Sequence, residues 1–139
     1  MAANLVVDNA IYETLGERWY HASDDPVALL RAEARLRNPW LAREIACALG
    51  GAQAAVLDIG CGGGFLSNYL ASLGHEVTGL DASNDALAVA RSHDHTKLVR
   101  YERGDALHLP FADASFDIVC AMDFLEHVEN PERAIAEAA

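Results

Sequence analysis

Ala55-Val56-Leu57-Asp58-Ile59-Gly60-Cys61-Gly62-Gly63-Gly64 decides how this chain folds. Its first half is a short, nearly all-apolar run with β-branched residues, and its second half is a cluster of glycines. An apolar run without alternation reads as a strand buried on both faces, as in a parallel sheet. The glycines let the chain turn sharply and let a ligand approach the backbone. Phe65, Leu66, Tyr69, Leu70 and Leu73 then recur at helical spacing until Gly74. In an open α/β sheet, the carboxyl end of such a strand is the ligand crevice.

The pattern continues toward the C-terminus. Glu76–Leu80 reads as a second strand, and Ser83 caps a helix containing Leu87, Val89 and Ala90. Lys97–Tyr101 alternates as a third strand and Phe116–Ala121 forms a fourth. Asn130-Pro131 opens a helix from Glu132 onward. Toward the N-terminus, residues 8 to about 50 read as helical. Asp25 is an N-cap with Pro26 at the first helical position, and Val27, Leu30, Ala34 and Arg37 follow at helical spacing. Asn38-Pro39 is expected to break this helix, with a new one over Trp40–Leu49 ended by Gly50-Gly51. The order predicts an α/β fold: a doubly wound parallel sheet over residues 51–139, behind a helical lead-in over residues 1–50. The last helix, PERAIAEAA, has no capping glycine and no following strand. The fold is therefore expected to be incomplete at its C-terminus, truncated after the fourth strand. That strand would be an open edge through which two copies could pair.

Composition narrows the function. The 139 residues suffice for one domain with a real core. The formal charge of −11 argues against nucleic acid, whose phosphates would repel the chain. No basic cluster suits an anionic membrane surface, and no apolar run reaches the roughly 18 residues of a membrane span. The N-terminal MAANLVVDNAIYE lacks the basic and apolar regions of a signal peptide. Cys47, Cys61 and Cys120 are widely spaced, without a CxxC, which fits a reducing cytoplasm better than a disulfide framework.

The chemistry sits around the glycine turn. Asp81 ends the second strand, where an acid can accept hydrogen bonds from both ribose hydroxyls. Asp105, in Gly104-Asp105-Ala106 after the third strand, can accept from an exocyclic adenine amine. A dinucleotide-binding loop wants G-x-G-x-x-G, but Phe65 stands at the third glycine position. Asp58 lies two residues before the first glycine and would repel a pyrophosphate at the helix start. A cationic sulfonium carrying an ammonium group would be attracted instead. The loop thus favours S-adenosylmethionine over a nicotinamide dinucleotide.

LDIGCGGG, GLDAS, GDALHLPF and FDIVCAMDFLEHV, in that order, resemble the class I S-adenosylmethionine-dependent methyltransferases over residues 54 to 139. The resemblance implies a Rossmann-like sheet. It implies that Asp58, Gly60 and Gly62, with Cys61 between them, line the methionine part of the cofactor. Asp81 and Ala82 would hold the ribose and adenine edge, Asp105 and Ala106 would flank the adenine, and Met122 would offer a backbone carbonyl. Within that superfamily, Asp123-Phe124-Leu125-Glu126-His127-Val128 is similar to the ubiquinone-biosynthesis O-methyltransferases. There a carboxylate, an acid three residues on and a His can hold a divalent metal, which here maps to Asp123, Glu126 and His127. Asp123 stands where that family more often has Glu. Trp19 and Asn38-Pro39 also resemble the family's lead-in, whereas residues 23–37 depart from it. The implied activity is methylation of a small phenolic or quinone-precursor hydroxyl.

The Asp123, Glu126 and His127 cluster also has a case of its own. On a helical turn, positions three and four apart face the same way. Two carboxylates and an imidazole suit Mg²⁺, Mn²⁺ or Zn²⁺, and such a cation lowers the pKa of a phenol. Alternatively, His127 acts alone as a general base. The remaining histidines are expected to be structural, and Trp19 and Trp40 to pack in the lead-in or cover the cavity mouth. Cys61 has no base near it in sequence and is not read as a nucleophile. Two other readings stand beside the methyltransferase: a non-catalytic cofactor-half module paired through its open edge, and a nicotinamide-dependent oxidoreductase.

Overall fold

The structure, a computed structural model, describes residues 9–139. The start of the stretch on which the signal-peptide reading rests, residues 1–8, lies outside the described residues. The elements run α1 (Ala10–Glu13), α2 (Arg18–His21), α3 (Pro26–Ala48), β1 (Ala55–Ile59), α4 (Phe65–Ser72), β2 (Glu76–Asp81), α5 (Asn84–Ser92), β3 (Arg100–Arg103), β4 (Ile118–Cys120), a 3₁₀ turn (Leu125–His127) and α6 (Pro131–Ala138). The strands form one parallel sheet in the order β3-β2-β1-β4. This is the expected doubly wound arrangement, with β1 and β2 at the centre. No described helix is long and apolar enough to cross a membrane.

β1 earns its central place through its side chains. Val56 packs with Ile45 of α3 and with Leu66 and Leu70 of α4. Leu57 and Ile59 pack with Leu80 and Ala106, with Phe111, Phe116 and Phe124 alongside. Period-two alternation thus feeds two apolar clusters, one on each face of the strand.

Three expectations are corrected. Asn38-Pro39 does not break the helix: α3 runs unbroken for 23 residues with Pro39 inside. Proline costs a helix one hydrogen bond and some crowding. Packing on both sides of it outweighs that cost, because Ala34, Asn38 and Ile45 are all buried. The Asn38 amide also donates to the Phe65 carbonyl at 3.0 Å, tying α3 to the start of α4. The third strand begins at Arg100 rather than Lys97. Lys97 has φ +56°, and the Asp94 carboxylate accepts from the backbone N–H groups of Thr96 and Val99, so a side-chain-capped turn occupies residues 94–99. The fourth strand is confined to Ile118–Cys120, whose partners are Val56–Asp58 of β1.

Candidate functional site

The site grows from the carboxyl ends of β1 and β2. Gly60 and Gly62 adopt φ of +68° and +53°, a region that costs other residues about 1–2 kcal/mol. A side chain at Gly62 would also strike Trp19, whose ring lies 2.8 Å from the place of its Cβ. Trp19 is itself buried, on the short helix α2. Phe124 rests in the same way on Gly60. The glycine turn is therefore clasped between an aromatic ring of the lead-in and one from the segment after β4.

Beneath the turn lies Asp58, 3 % exposed. The Ser67 hydroxyl of α4 donates to its Oδ2 at 2.7 Å. Burial pushes its carboxyl up to about 7, with the negative charge of Asp81 adding to the rise and Ser67 and Arg37 opposing it. Asp81 bridges two loops: Oδ2 accepts from the Gly62 N–H and Oδ1 from the Ser83 N–H, each at 2.9 Å. A carboxylate offers about four acceptor positions, so each oxygen keeps another for a ligand.

These residues open onto a cavity of about 700 Å³. All nine positions that the family resemblance points to for the cofactor line it: Asp58, Gly60, Cys61, Gly62, Asp81, Ala82, Asp105, Ala106 and Met122. Asp105 is also committed to its own turn. Its Oδ1 accepts from the Leu107 N–H at 2.9 Å, and His108 Nδ1 lies 3.2 Å from Oδ2. Those two contacts hold its carboxyl below the usual carboxylate range. Burial and the charges of Asp58 and Asp81 push the Cys61 thiol well above its ordinary value, a poor setting for a nucleophile.

Arg37 was expected only as a helix-face residue. It lines the cavity, with Nη1 2.7 Å from Asp123 Oδ2, while its buried Nε has no hydrogen-bond partner. One of four arginines on α3, with Arg31, Arg35 and Arg43, it gives little signal in sequence, because its role depends on which segment packs opposite.

The candidate metal trio is not gathered by the fold. Asp123 has φ +50° and lies before the 3₁₀ turn, where Arg37 takes its carboxylate. Glu126 is absent from the cavity lining, with its carboxylate 3.8 Å from His127 Nε2. The expected facing of positions three and four apart needs an α-helical turn, and here only three residues coil, with 3₁₀ spacing. His127 does line the cavity. Its ring meets Tyr12 edge-on at 5.4 Å, and its carbonyl accepts from the Asn9 amide at 3.0 Å. Burial, Glu126 and Asp123 raise the Tyr12 phenol above its ordinary value.

The family model described as "Methyltransferase domain" matches residues 57–139. The chain belongs to this methyltransferase domain family. It is similar to the ubiquinone biosynthesis O-methyltransferase of Azoarcus sp. strain BH72, at 38% identity, over 92% of this chain and 54% of that protein. Among solved structures, it resembles an S-adenosylmethionine-dependent methyltransferase from Mesorhizobium loti, at 31% identity and TM-score 0.58, over 63% of this chain and 41% of the other. The magnesium protoporphyrin IX methyltransferase of Synechocystis PCC 6803 gives TM-score 0.69 over 87% of this chain and 61% of that one, and at 22% identity the likeness concerns the fold. This methyltransferase domain chain spans about half the length of the curated relatives it matches.

Proposed function

We propose that the chain binds S-adenosylmethionine in the cavity above β1 and β2, as the cofactor half of an O-methyltransferase for a small phenolic or quinone-precursor acceptor. One observation carries this reading. A buried carboxylate, Asp58, lies in the same cavity as a guanidinium, Arg37, that has an unpartnered buried Nε. An amino-acid end, with its ammonium and carboxylate, complements that pair. A pyrophosphate complements only half of it and sets negative charge beside Asp58. The free acceptor positions of Asp81 suit a ribose diol, and Leu80 and Ala106 offer apolar wall to a nucleobase.

Bound S-adenosylmethionine supplies an electrophilic methyl group. What this chain adds is placement, dryness and a proton acceptor. Trp19 and Phe124 cover the glycine turn against water. His127, at the cavity wall, takes the proton of the acceptor hydroxyl. A divalent metal on Asp123, Glu126 and His127 would require Asp123 to leave Arg37, so the reading favoured here uses His127 without one. The acceptor class rests on relatives named ubiquinone biosynthesis O-methyltransferase, from Azoarcus and Bordetella avium among others.

The test is calorimetric titration of the chain with S-adenosylhomocysteine and, separately, with NADH. Saturable binding of the first, at least tenfold weaker in Asp81→Ala, supports the reading. Binding of NADH alone, or affinity unchanged in Asp81→Ala, overturns it.

A further inference from the structure

Away from the cavity, Glu17 and His21 of the lead-in meet His93 at the end of α5. We infer that these three side chains form a zinc-class cation site that fastens the lead-in to the sheet domain. His93 Nε2 lies 2.9 Å and His21 Nε2 3.6 Å from Glu17 Oε2. All three ligand atoms lie within 4.8 Å of one another, and they are the one such His/Cys/Asp/Glu group among the described residues. Tetrahedral Zn²⁺ with bonds of about 2.0–2.1 Å sets its ligands about 3.3 Å apart, a spacing the two measured separations bracket. Two imidazoles and one carboxylate suit zinc better than Mg²⁺, which prefers an all-oxygen octahedron.

The site is built rather than incidental in one respect. His93 is held face to face on Tyr20, with centroids 3.6 Å apart and planes 6° apart. Tyr20 is fixed in turn, because its hydroxyl donates to the Gly63 carbonyl at 2.7 Å. Glu17 and His21 are four residues apart across α2, so both reach the same side of the helix. Three ligands leave a fourth position for water. The net charge of −11 draws cations toward the surface. Trp19 lies between Glu17 and His21 in sequence and rests on Gly62 and Gly63. A cation here therefore holds the tryptophan that covers the glycine turn. The inference is independent of which ligand the cavity takes.

The experiment uses the whole chain with Cys47→Ser, which removes the exposed thiol as a competing ligand. ZnCl2 and MgCl2 are added in parallel, reading thermal midpoint, stoichiometry by calorimetry and acrylamide quenching of tryptophan. The expected result is one zinc per chain, a raised midpoint, reduced quenching and no response to magnesium. His21→Ala and Glu17→Gln alter exposed side chains and should each weaken zinc binding at least tenfold without lowering the metal-free midpoint. No zinc response in the unsubstituted ligand set overturns the inference. So does zinc binding undiminished in both variants, or binding lost in His127→Ala and kept in His21→Ala.

Discussion

Arg37 and Asp123, 86 residues apart, are joined at 2.7 Å in the wall of the cavity. The pair links helix α3 to the turn after β4, and it engages the guanidinium that an incoming carboxylate would want. Arg37→Ala should weaken S-adenosylhomocysteine binding roughly 10- to 100-fold, the worth of a hydrogen bond to a charged group. Asp123→Asn, which releases Arg37, should bind at least as tightly as the parent chain. Calorimetry on the two variants checks both outcomes, and equal losses would show that the ion pair itself, not the free guanidinium, serves the ligand.

Asp58 makes the cavity sensitive to pH. Its folded-state value, about 7, lies above the ordinary 3.8, so the folded protein binds more protons than the unfolded one between those limits. Stability contributed by the protonated form is full below about pH 4 and is lost as pH rises through 7. Urea denaturation of the ligand-free chain from pH 5 to 8 should show this decline, and Asp58→Asn should flatten it. A cationic ligand favours the ionised carboxylate. S-adenosylmethionine binding near pH 6.5 should therefore release up to one proton, seen as a buffer-dependent binding heat.

Gly62→Val places a branched side chain where φ is +53° and where Trp19 fills the space. The lead-in should lift from the glycine turn. The expected readouts are a stability loss of about 2 kcal/mol or more and stronger acrylamide quenching of tryptophan. Quenching unchanged from the parent would show that Trp19 does not depend on this glycine.

Pro39→Ala should stabilise the chain by about 1–3 kcal/mol, because it restores a backbone donor within α3 and removes the ring. Chemical denaturation reads the change directly.

The three thiols should react in a fixed order. Cys47 is exposed, whereas Cys61 and Cys120 are buried, and burial pushes Cys120 up to about 12. Iodoacetamide at pH 8 should label Cys47 alone until the chain is unfolded, as peptide mass analysis would show.

The sheet was legible because its signals are local. An apolar run, a glycine cluster and the helical spacing from Phe65 to Leu73 lie within twenty residues, and the parallel order follows from their repetition. Asp58, Asp81 and Asp105 stood out for a related reason, as acids at or just after strands the sequence marks, whereas Ala82, Ala106 and Met122 were pointed to only by the family resemblance; the fold brings all six to one cavity. Strand limits were less so. Where β3 begins depends on the Asp94 carboxylate capping Thr96 and Val99, a side-chain bond with no periodicity to betray it.

By itself the sequence determined a parallel α/β sheet with a glycine turn between Asp58 and Asp81, because backbone preference and apolar spacing act over a few residues. Only the tertiary structure decided that α3 passes through Pro39, that Arg37 takes the carboxylate of Asp123, and that Glu17, His21 and His93 meet. Each of these depends on contacts between segments far apart in the chain. There, packing and charge pairing outweigh what any short stretch prefers.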